Sequence, residues 1–356
     1  HRLIRRQRQM CIRDRYKVMN RDVYNDFVKS LISDYELIGP KKKDKAVYDF
    51  VPIKDISELD TNYTKTTIPP AKKILFPPAE KLITYEINKT INIKSVIEGS
   101  QKVLFGINAW DINGMNFLDK FFTTDFVDEN YVHRRKNLIV IGMDSEPTET
   151  NFSLSMGCEY AKDGFDLYLT ELKDKYFIRV ATAKGDEILS KYAETSNAKA
   201  EDFKEYNKYM DDYRLKFKLN VDIKNFYDNF ELIYNDEEFW KRIAKNCYSC
   251  GSCNLVCPTC FCFNVKDDIE LNLKDGNKIR EWDSCMIPEY GLVAGGHNFR
   301  PDKENRLKQR YRCKLKTFLD KFGRYACVGC GRCIEACLAK INIAEDINSV
   351  KKEVSV

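Results

Sequence analysis

Histidine is nearly absent from this sequence: His1, His133 and His297 are the three in 356 residues. A metal site built from several histidines is therefore excluded. Long apolar runs are missing too. The longest, Leu138 to Met143, has about six residues, whereas a membrane-spanning helix needs roughly 20. The basic N-terminus is not followed by the apolar stretch of a secretory signal. No G-x-G-x-x-G and no Walker loop occurs, so no nucleotide site of known signature is visible. No Ser/His/Asp arrangement can be argued, and Gly295-Gly296-His297 reads as a turn with a structural histidine. Hydrophobic residues make up 43% and charged residues 32%, which fits a globular chain rather than a disordered one.

The charge is unevenly placed. Residues 1–15 hold six Arg and one Asp, a charge of +5 that equals the net charge of the whole sequence. The remainder is neutral, so global basicity gives no argument for nucleic acid. Residues 1–15, ending in MCIRDR, read as a non-native leader and are set aside from fold reasoning.

Cysteine is the residue in excess. Of 14 in all, twelve lie from Cys247 to Cys337. Without a secretory signal, clustered cysteines read as metal ligands before disulfides. Two motifs repeat one spacing: Cys247-x2-Cys250-x2-Cys253-x3-Cys257-Pro258, and Cys327-x2-Cys330-x2-Cys333-x3-Cys337. This is the spacing of two-cluster bacterial ferredoxins. Three cysteines three apart wrap three corners of one iron–sulfur cube, and the fourth turns away to the partner cube. The spacing predicts two [4Fe–4S] clusters with crossed ligation. Cluster one takes Cys247, Cys250, Cys253 and Cys337. Cluster two takes Cys327, Cys330, Cys333 and Cys257. Gly251, Gly329 and Gly331 let bare backbone approach the sulfurs. Leu338 stands where proline would follow the fourth cysteine of the second motif. A zinc site or disulfides remain the alternatives to iron.

The insert between the motifs holds Cys260, Cys262, Cys285 and Cys313. They read as small buried residues near the clusters; the sharper alternative is a further metal site of Cys260, Cys262 and Cys285. Residues 300–324 carry ten basic side chains against three acidic. A solvated helix face, screening of anionic clusters, and docking of an acidic partner are the three readings. Nucleic acid is not expected as a partner without an aromatic platform.

Hydrophobic periodicity supplies the rest. It predicts a helix over 16–37. Strands are expected at AVYDFV, KKILF, LITYEI, KVLFGI (102–107), NLIVIGM (137–143), FDLYLTEL and KYFIRVA. Helices follow at about 111–122 and 184–195. Residues 201–245 are helical in pattern, the last helix capped by Asn235. IELNL and KIREW form a hairpin about 274–277, and a helix over 302–322 ends at Gly323. The fold class is therefore α+β with two domains: an N-terminal α/β domain (16–200), a helical connection (201–240), and an α-helical ferredoxin-like domain (241–350) binding two [4Fe–4S] clusters.

At these residues the chain resembles a known family, the dicluster iron–sulfur subunits found in anaerobic sulfite reductases and, as the beta subunit, in sulfhydrogenase-type nickel–iron hydrogenases. The likeness is carried by CYSCGSCNLVCPTCFCF (247–263), WDSC (282–285), VAGGHNFRPDKENRLKQRY (293–311) and FGRYACVGCGRCIEAC (322–337). Less specific support comes from YELIGPKKKDKAVYDF, ILFPPAEKLITYE and FTTDFVDENYVHRRKNLIVIG. The resemblance implies a non-catalytic electron-transfer subunit of an anaerobic, cytoplasmic oxidoreductase. Its implied partners are a flavin-containing, ferredoxin-reductase-like subunit, together with a terminal reductase or hydrogenase subunit. An autonomous oxidoreductase with a substrate site in the N-terminal domain, or a zinc-stapled interaction module, are the alternatives. The chain departs from the family where relatives carry cysteines. Trp110, Asp144, Asn151 and Ser153 stand there instead, so the N-terminal domain reads as a cluster-free docking scaffold.

Overall fold

Strands that read as near-continuous apolar runs belong at the centre of a parallel sheet covered on both faces, and that is where KVLFGI and LIVIGM lie. A computed structural model describes residues 15–44, 47–61, 69–88, 90–97 and 99–350. The assigned leader, residues 1–15, lies outside these apart from Arg15. The main sheet has eight strands in the order β10-β1-β9-β8-β7-β6-β2-β3. They are β1 (Tyr16–Asn20), β2 (Glu36–Asp44), β3 (Val47–Pro52), β6 (Lys102–Ile107), β7 (Leu138–Met143), β8 (Leu167–Glu171), β9 (Lys175–Val180) and β10 (Ser196–Asn197). β2, β6, β7 and β8 run parallel to their neighbours, and the outer pairings are antiparallel.

Alternate residues of the central strands feed two cores. Val103, Phe105, Ile139 and Ile141 pack beneath α1 (Tyr24–Asp34) and α4 (Ala183–Tyr192). Leu104, Ile107 and Val140 pack on the opposite face, beneath α2 (Ala109–Thr123) and α3 (Glu129–Asn137). The second core also takes in Phe318 and Ala326 from the C-terminal region.

Two expectations for the first hundred residues are corrected. Tyr16–Asn20 is a strand, not the start of a helix, because its backbone groups pair with β9 and Met19 is buried against that sheet. Helix propensity yields there to the tertiary pairing. KKILF is a 3-10 turn over Ala71–Ile74, and the turn carries Lys72 inward rather than along a strand edge.

The connection contains α5 (Ala200–Arg214), α6 (Ile223–Asp228), α7 (Phe230–Asn235) and α8 (Glu237–Ala244). Asp236, one residue later than expected, caps α8 by accepting from the Phe239 N–H at 3.0 Å. The cysteine-rich region follows. It has two single-turn helices, α9 (Ser252–Leu255) and α12 (Arg332–Glu335), and a hairpin of β11 (Phe263–Ile269) and β12 (Asp275–Trp282). Helix α10 (Lys303–Arg312) continues through a π-turn (Cys313–Thr317) into α11 (Phe318–Phe322), and α13 (Ile343–Asn348) closes it. The region is therefore mixed rather than wholly helical. Its hairpin starts six residues earlier than expected and completes a four-stranded antiparallel sheet, β11-β12-β4-β5, with β4 (Ala79–Ile87) and β5 (Ile91–Ser95) of the N-terminal half. Helix α11 ends at Gly323, whose φ of +69° is the left-handed conformation a helix C-terminus favours.

Candidate iron–sulfur centre

Each cysteine motif folds into the same loop. After the first cysteine the chain turns through two left-handed positions, Ser249 and Gly251 in one motif, Gly329 and Gly331 in the other. A short helix then begins, α9 or α12, carrying the third cysteine. Both glycine positions of the second loop are closed to a side chain. A Cβ on Gly329 would lie 2.7 Å from Phe152 backbone atoms, and one on Gly331 would lie 2.5 Å from the Thr150 carbonyl oxygen. Backbone donors turn toward sulfur. The Ser249 N–H points at Cys247 Sγ, 3.4 Å away, and the Ile341 N–H at Cys337 Sγ, 3.3 Å away.

The fourth cysteine of each motif lies near sulfurs of the other motif. Cys337 of the second motif lines the same cavity as Cys247, Cys250 and Cys253, a space of about 550 Å³ including its mouth. Met286, Leu307, Tyr311 and Ile343 make its apolar wall. Cys250, Tyr248 and Leu338 bring that cavity to the surface. Cys257 of the first motif lies with Cys327, Cys330 and Cys333, close enough for their charges to interact. Burial, and then these neighbouring sulfurs, push the Cys327 thiol well above its ordinary range; burial pushes Cys330 up to about 12 and Cys253 up to about 11. Cys333 stands between the groups, lining the cavity and facing Cys257.

The charge around these sulfurs tests whether an anionic cluster fits. Arg310, Lys314 and Lys72 are almost wholly buried, at 4, 2 and 3% exposure. None pairs with a carboxylate among the described residues. The oxygens that accept from them are neutral. Arg310 donates to Asn254 Oδ1 at 2.9 Å and to the Cys253 carbonyl at 3.1 Å. Lys314 donates to Thr259 Oγ1 at 2.8 Å, and Lys72 to the Cys260 carbonyl at 2.8 Å. An isolated buried cation costs several kcal/mol, so compensating negative charge belongs nearby. Sulfur is what they face: Arg310 faces Cys253 and Cys333, Lys314 faces Cys257 and Cys260, and Lys72 faces Cys260 and Cys257. Two thiolate-ligated cubes would supply that charge, and the donor set fits them. Among the described residues no three His, Cys, Asp or Glu side chains are arranged to hold a single metal ion.

The cysteines of the insert fall into pairs. Cys260 shares a hydrogen bond with Cys257, which holds the Cys257 thiol well below its ordinary range. Cys262 is paired with Cys285 instead. Cys313 is half-buried in the π-turn.

Of the positions where relatives carry cysteines, Trp110, Asn151 and Ser153 lie near the second loop. Phe152 donates its N–H to the Gly329 carbonyl at 2.8 Å, and Trp110 packs in one cluster with Val328 and Cys330. Asp144 is held by Tyr168 and Thr170 at 2.8 and 2.7 Å. Trp110 Nε1, Asn151 Nδ2 and Ser153 Oγ are buried without a hydrogen-bond partner among the described residues. Next to Trp110, Asp111 makes a bidentate pair with Arg332, both contacts 2.5 Å and both side chains 1% exposed. Arg332 also hydrogen-bonds the Cys330 thiol.

Composition gave no signal for Lys72 or Asp111. The inward Arg306, Arg310 and Lys314 carried one, since an i, i+4, i+8 spacing shares a helix face.

Residues 246–341 match a family described as the 4Fe-4S dicluster domain. Over 340 residues the chain is 33% identical to the sulfhydrogenase 2 beta subunit of Pyrococcus furiosus, covering 95% of this chain and 99% of that protein. The chain belongs to this family. It is accordingly an iron–sulfur protein of the 4Fe-4S dicluster type. No solved structure matches it. Among the described residues no helix is long and apolar enough to cross a membrane.

Proposed function

We propose that this chain is the electron-relay subunit of a cytoplasmic, multi-subunit oxidoreductase. Cluster one is held by Cys247, Cys250, Cys253 and Cys337, and cluster two by Cys327, Cys330, Cys333 and Cys257. When bound, such clusters accept and release single electrons. A flavin-containing, ferredoxin-reductase-like subunit stands on one side of the relay and a terminal reductase or hydrogenase subunit on the other. The single observation that supports the reading is that Cys337 lines one cavity with Cys247, Cys250 and Cys253 while Cys257 lies within electrostatic reach of Cys327, Cys330 and Cys333. Similarity to a sulfhydrogenase subunit supports the complex.

The chain's own residues do three things in this role. The eight cysteines bind. Arg310, Lys314 and Lys72 offset the negative charge that each added electron increases. The apolar wall of Met286, Leu307, Tyr311 and Ile343 keeps water from the first site except at the mouth beside Cys250.

Metal and sulfide analysis of anaerobically purified protein tests the reading. About eight irons per chain and broad visible absorbance bleached by dithionite are expected; zinc in place of iron overturns it. Crossed ligation has its own test. Cys337→Ser perturbs the EPR signal of the cluster held by the first motif, and Cys257→Ser perturbs the other. Each substitution disturbing only its own motif's cluster refutes crossed ligation.

A further inference from the structure

Thr259 lies two residues past Cys257 and is fully buried. Its turn is held in place. The Cys260 N–H donates to the Cys257 carbonyl at 3.4 Å, and Lys72, from the N-terminal half, donates to the Cys260 carbonyl at 2.8 Å. The Thr259 hydroxyl belongs to a closed ring of hydrogen bonds. Lys314 Nζ donates to Thr259 Oγ1 at 2.8 Å, Thr259 Oγ1 donates to the Ala326 carbonyl at 2.5 Å, and the Ala326 N–H donates to the Lys314 carbonyl at 3.0 Å. Lys314 lies in the π-turn, and Ala326 is the residue before Cys327. The ring therefore joins the tail of the first cysteine motif to the entry of the second. All three residues are buried, which shields the ring from competing solvent.

One more acceptor lies within reach of the hydroxyl: Cys257 Sγ is 3.2 Å from Thr259 Oγ1. A hydroxyl has one proton to give and two lone pairs to receive with, and an ammonium only donates. With Lys314 as donor, the single Thr259 proton has two acceptors to choose between, the Ala326 carbonyl and the Cys257 sulfur. A cysteine that ligates metal does so as thiolate, which only accepts. A threonine in a purely structural role needs one acceptor. Here two compete, and one is a proposed ligand of cluster two.

We propose that Thr259 is a redox-responsive hydrogen-bond donor to Cys257, giving its proton to the Ala326 carbonyl while cluster two is oxidised and turning it to the Cys257 sulfur on reduction. The inference rests on the relay reading, since it takes Cys257 as a cluster ligand. The step is a rotation about the Thr259 Cβ–Oγ1 bond. The O–H bond stays intact, no proton is taken up, and the one electron is the one the relay delivers. Charge sets the direction. Reduction adds negative charge that thiolate sulfur shares, and a hydrogen bond to an ionised acceptor is roughly twice as strong as one to a neutral acceptor. The donated bond stabilises the reduced state and raises the potential. Lys314 holds Thr259 Oγ1 throughout and polarises the hydroxyl toward donation. The corresponding position of the second motif, two residues past Cys337, is Ala339. It has no hydroxyl, so the device serves cluster two alone.

The test compares full-length, anaerobically purified, iron-loaded wild type with Thr259→Val and Thr259→Ser. Cluster two is read through the EPR signal that Cys257→Ser perturbs. Redox titration gives the midpoint potential of each signal, and pulsed ENDOR after exchange into D2O reads the exchangeable deuterons coupled to each reduced cluster. Thr259→Val is expected to lower the potential of cluster two alone and to remove one deuteron coupling from its reduced signal. Thr259→Ser restores the hydroxyl and keeps both. Unchanged potential and coupling in Thr259→Val at full iron content overturn the proposal. Equal changes in the two variants overturn it in favour of packing by the methyl group. Where Thr259→Val fails to hold iron, the wild type decides: a reduced cluster-two signal with no coupled exchangeable deuteron overturns the donor role. All three of these outcomes leave the relay standing. A chain without iron overturns the relay and this inference together.

Discussion

At the scale of single residues, the arrangement turns on cations placed where a globular core would not tolerate them. Arg310, Lys314 and Lys72 are buried with neutral hydrogen-bond acceptors and with sulfur in view. Their compensation is unevenly shared. Arg310 faces cysteines proposed for both clusters, whereas Lys314 and Lys72 face Cys257, a proposed ligand of cluster two, and its neighbour Cys260. Fixed positive charge favours the reduced, more negative state of a cluster, so each cation raises its potential. One charge at roughly 6 Å and an effective dielectric of about 20 is worth about 3 kcal/mol, or on the order of 100 mV for one electron. Lys314→Met is therefore expected to lower the potential of cluster two by tens of millivolts and to leave cluster one less affected. Arg310→Met lowers both. An EPR-monitored redox titration measures this, and equal potentials in wild type and Lys314→Met would contradict the assignment of Lys314 to cluster two.

At the scale of elements, the C-terminal helix α13 shows how a polar contact can oppose the packing it accompanies. Ile343, Ala344 and Ile347 bury into the core around the first site, and Tyr311 donates to Asp346 at 2.5 Å. Burial raises the Asp346 carboxyl to about 6, against the partial relief from Tyr311. A carboxyl whose folded value lies above its unfolded value of 3.8 favours the folded state while protonated. That contribution is complete below about pH 4 and is lost as the pH rises through about 6. Asp346→Asn keeps an acceptor for Tyr311 and removes the titration. The variant is expected to gain about 1–2 kcal/mol over the parent above pH 7, with the gap closing toward pH 4; thermal unfolding at both pH values measures it. Legibility follows the same division between local and distant causes. The strands at 102–107 and 138–143 were readable because both faces are buried and the apolar run is unbroken. The cysteine loops were readable because the same spacing recurs in both motifs and each folds into the same turn and short helix. Tyr16–Asn20 and Ala71–Ile74 were not readable. Their conformations come from a strand 155 or more residues away and from the Cys260 carbonyl, and periodicity carries no trace of either.

At the scale of the whole molecule, the two halves expected as separate domains share a sheet, a core and a buried ion pair. β12 pairs with β4 across nearly 200 residues of sequence, and Phe318 and Ala326 sit in the core beneath α2. The ion pair is the most exacting link. Asp111 lies in the first turn of α2 in the N-terminal half, while Arg332 starts α12 inside the second cysteine loop and bonds Cys330. Removing one member of a buried pair leaves the other charge uncompensated, which costs about 3–5 kcal/mol; removing both with apolar replacement costs far less. Asp111→Asn should therefore destabilise the whole chain by about 3–5 kcal/mol and lower the iron retained, because the stranded guanidinium sits on Cys330, a proposed ligand of cluster two. Asp111→Asn combined with Arg332→Met should recover a large part of that stability. If the pair merely decorates the surface between independent units, the single and double variants would unfold at the same denaturant concentration as wild type. A double-mutant cycle read by chemical denaturation, with iron content followed in parallel, distinguishes the two, since a coupling of several kcal/mol requires the N-terminal half to be part of the cluster-binding structure.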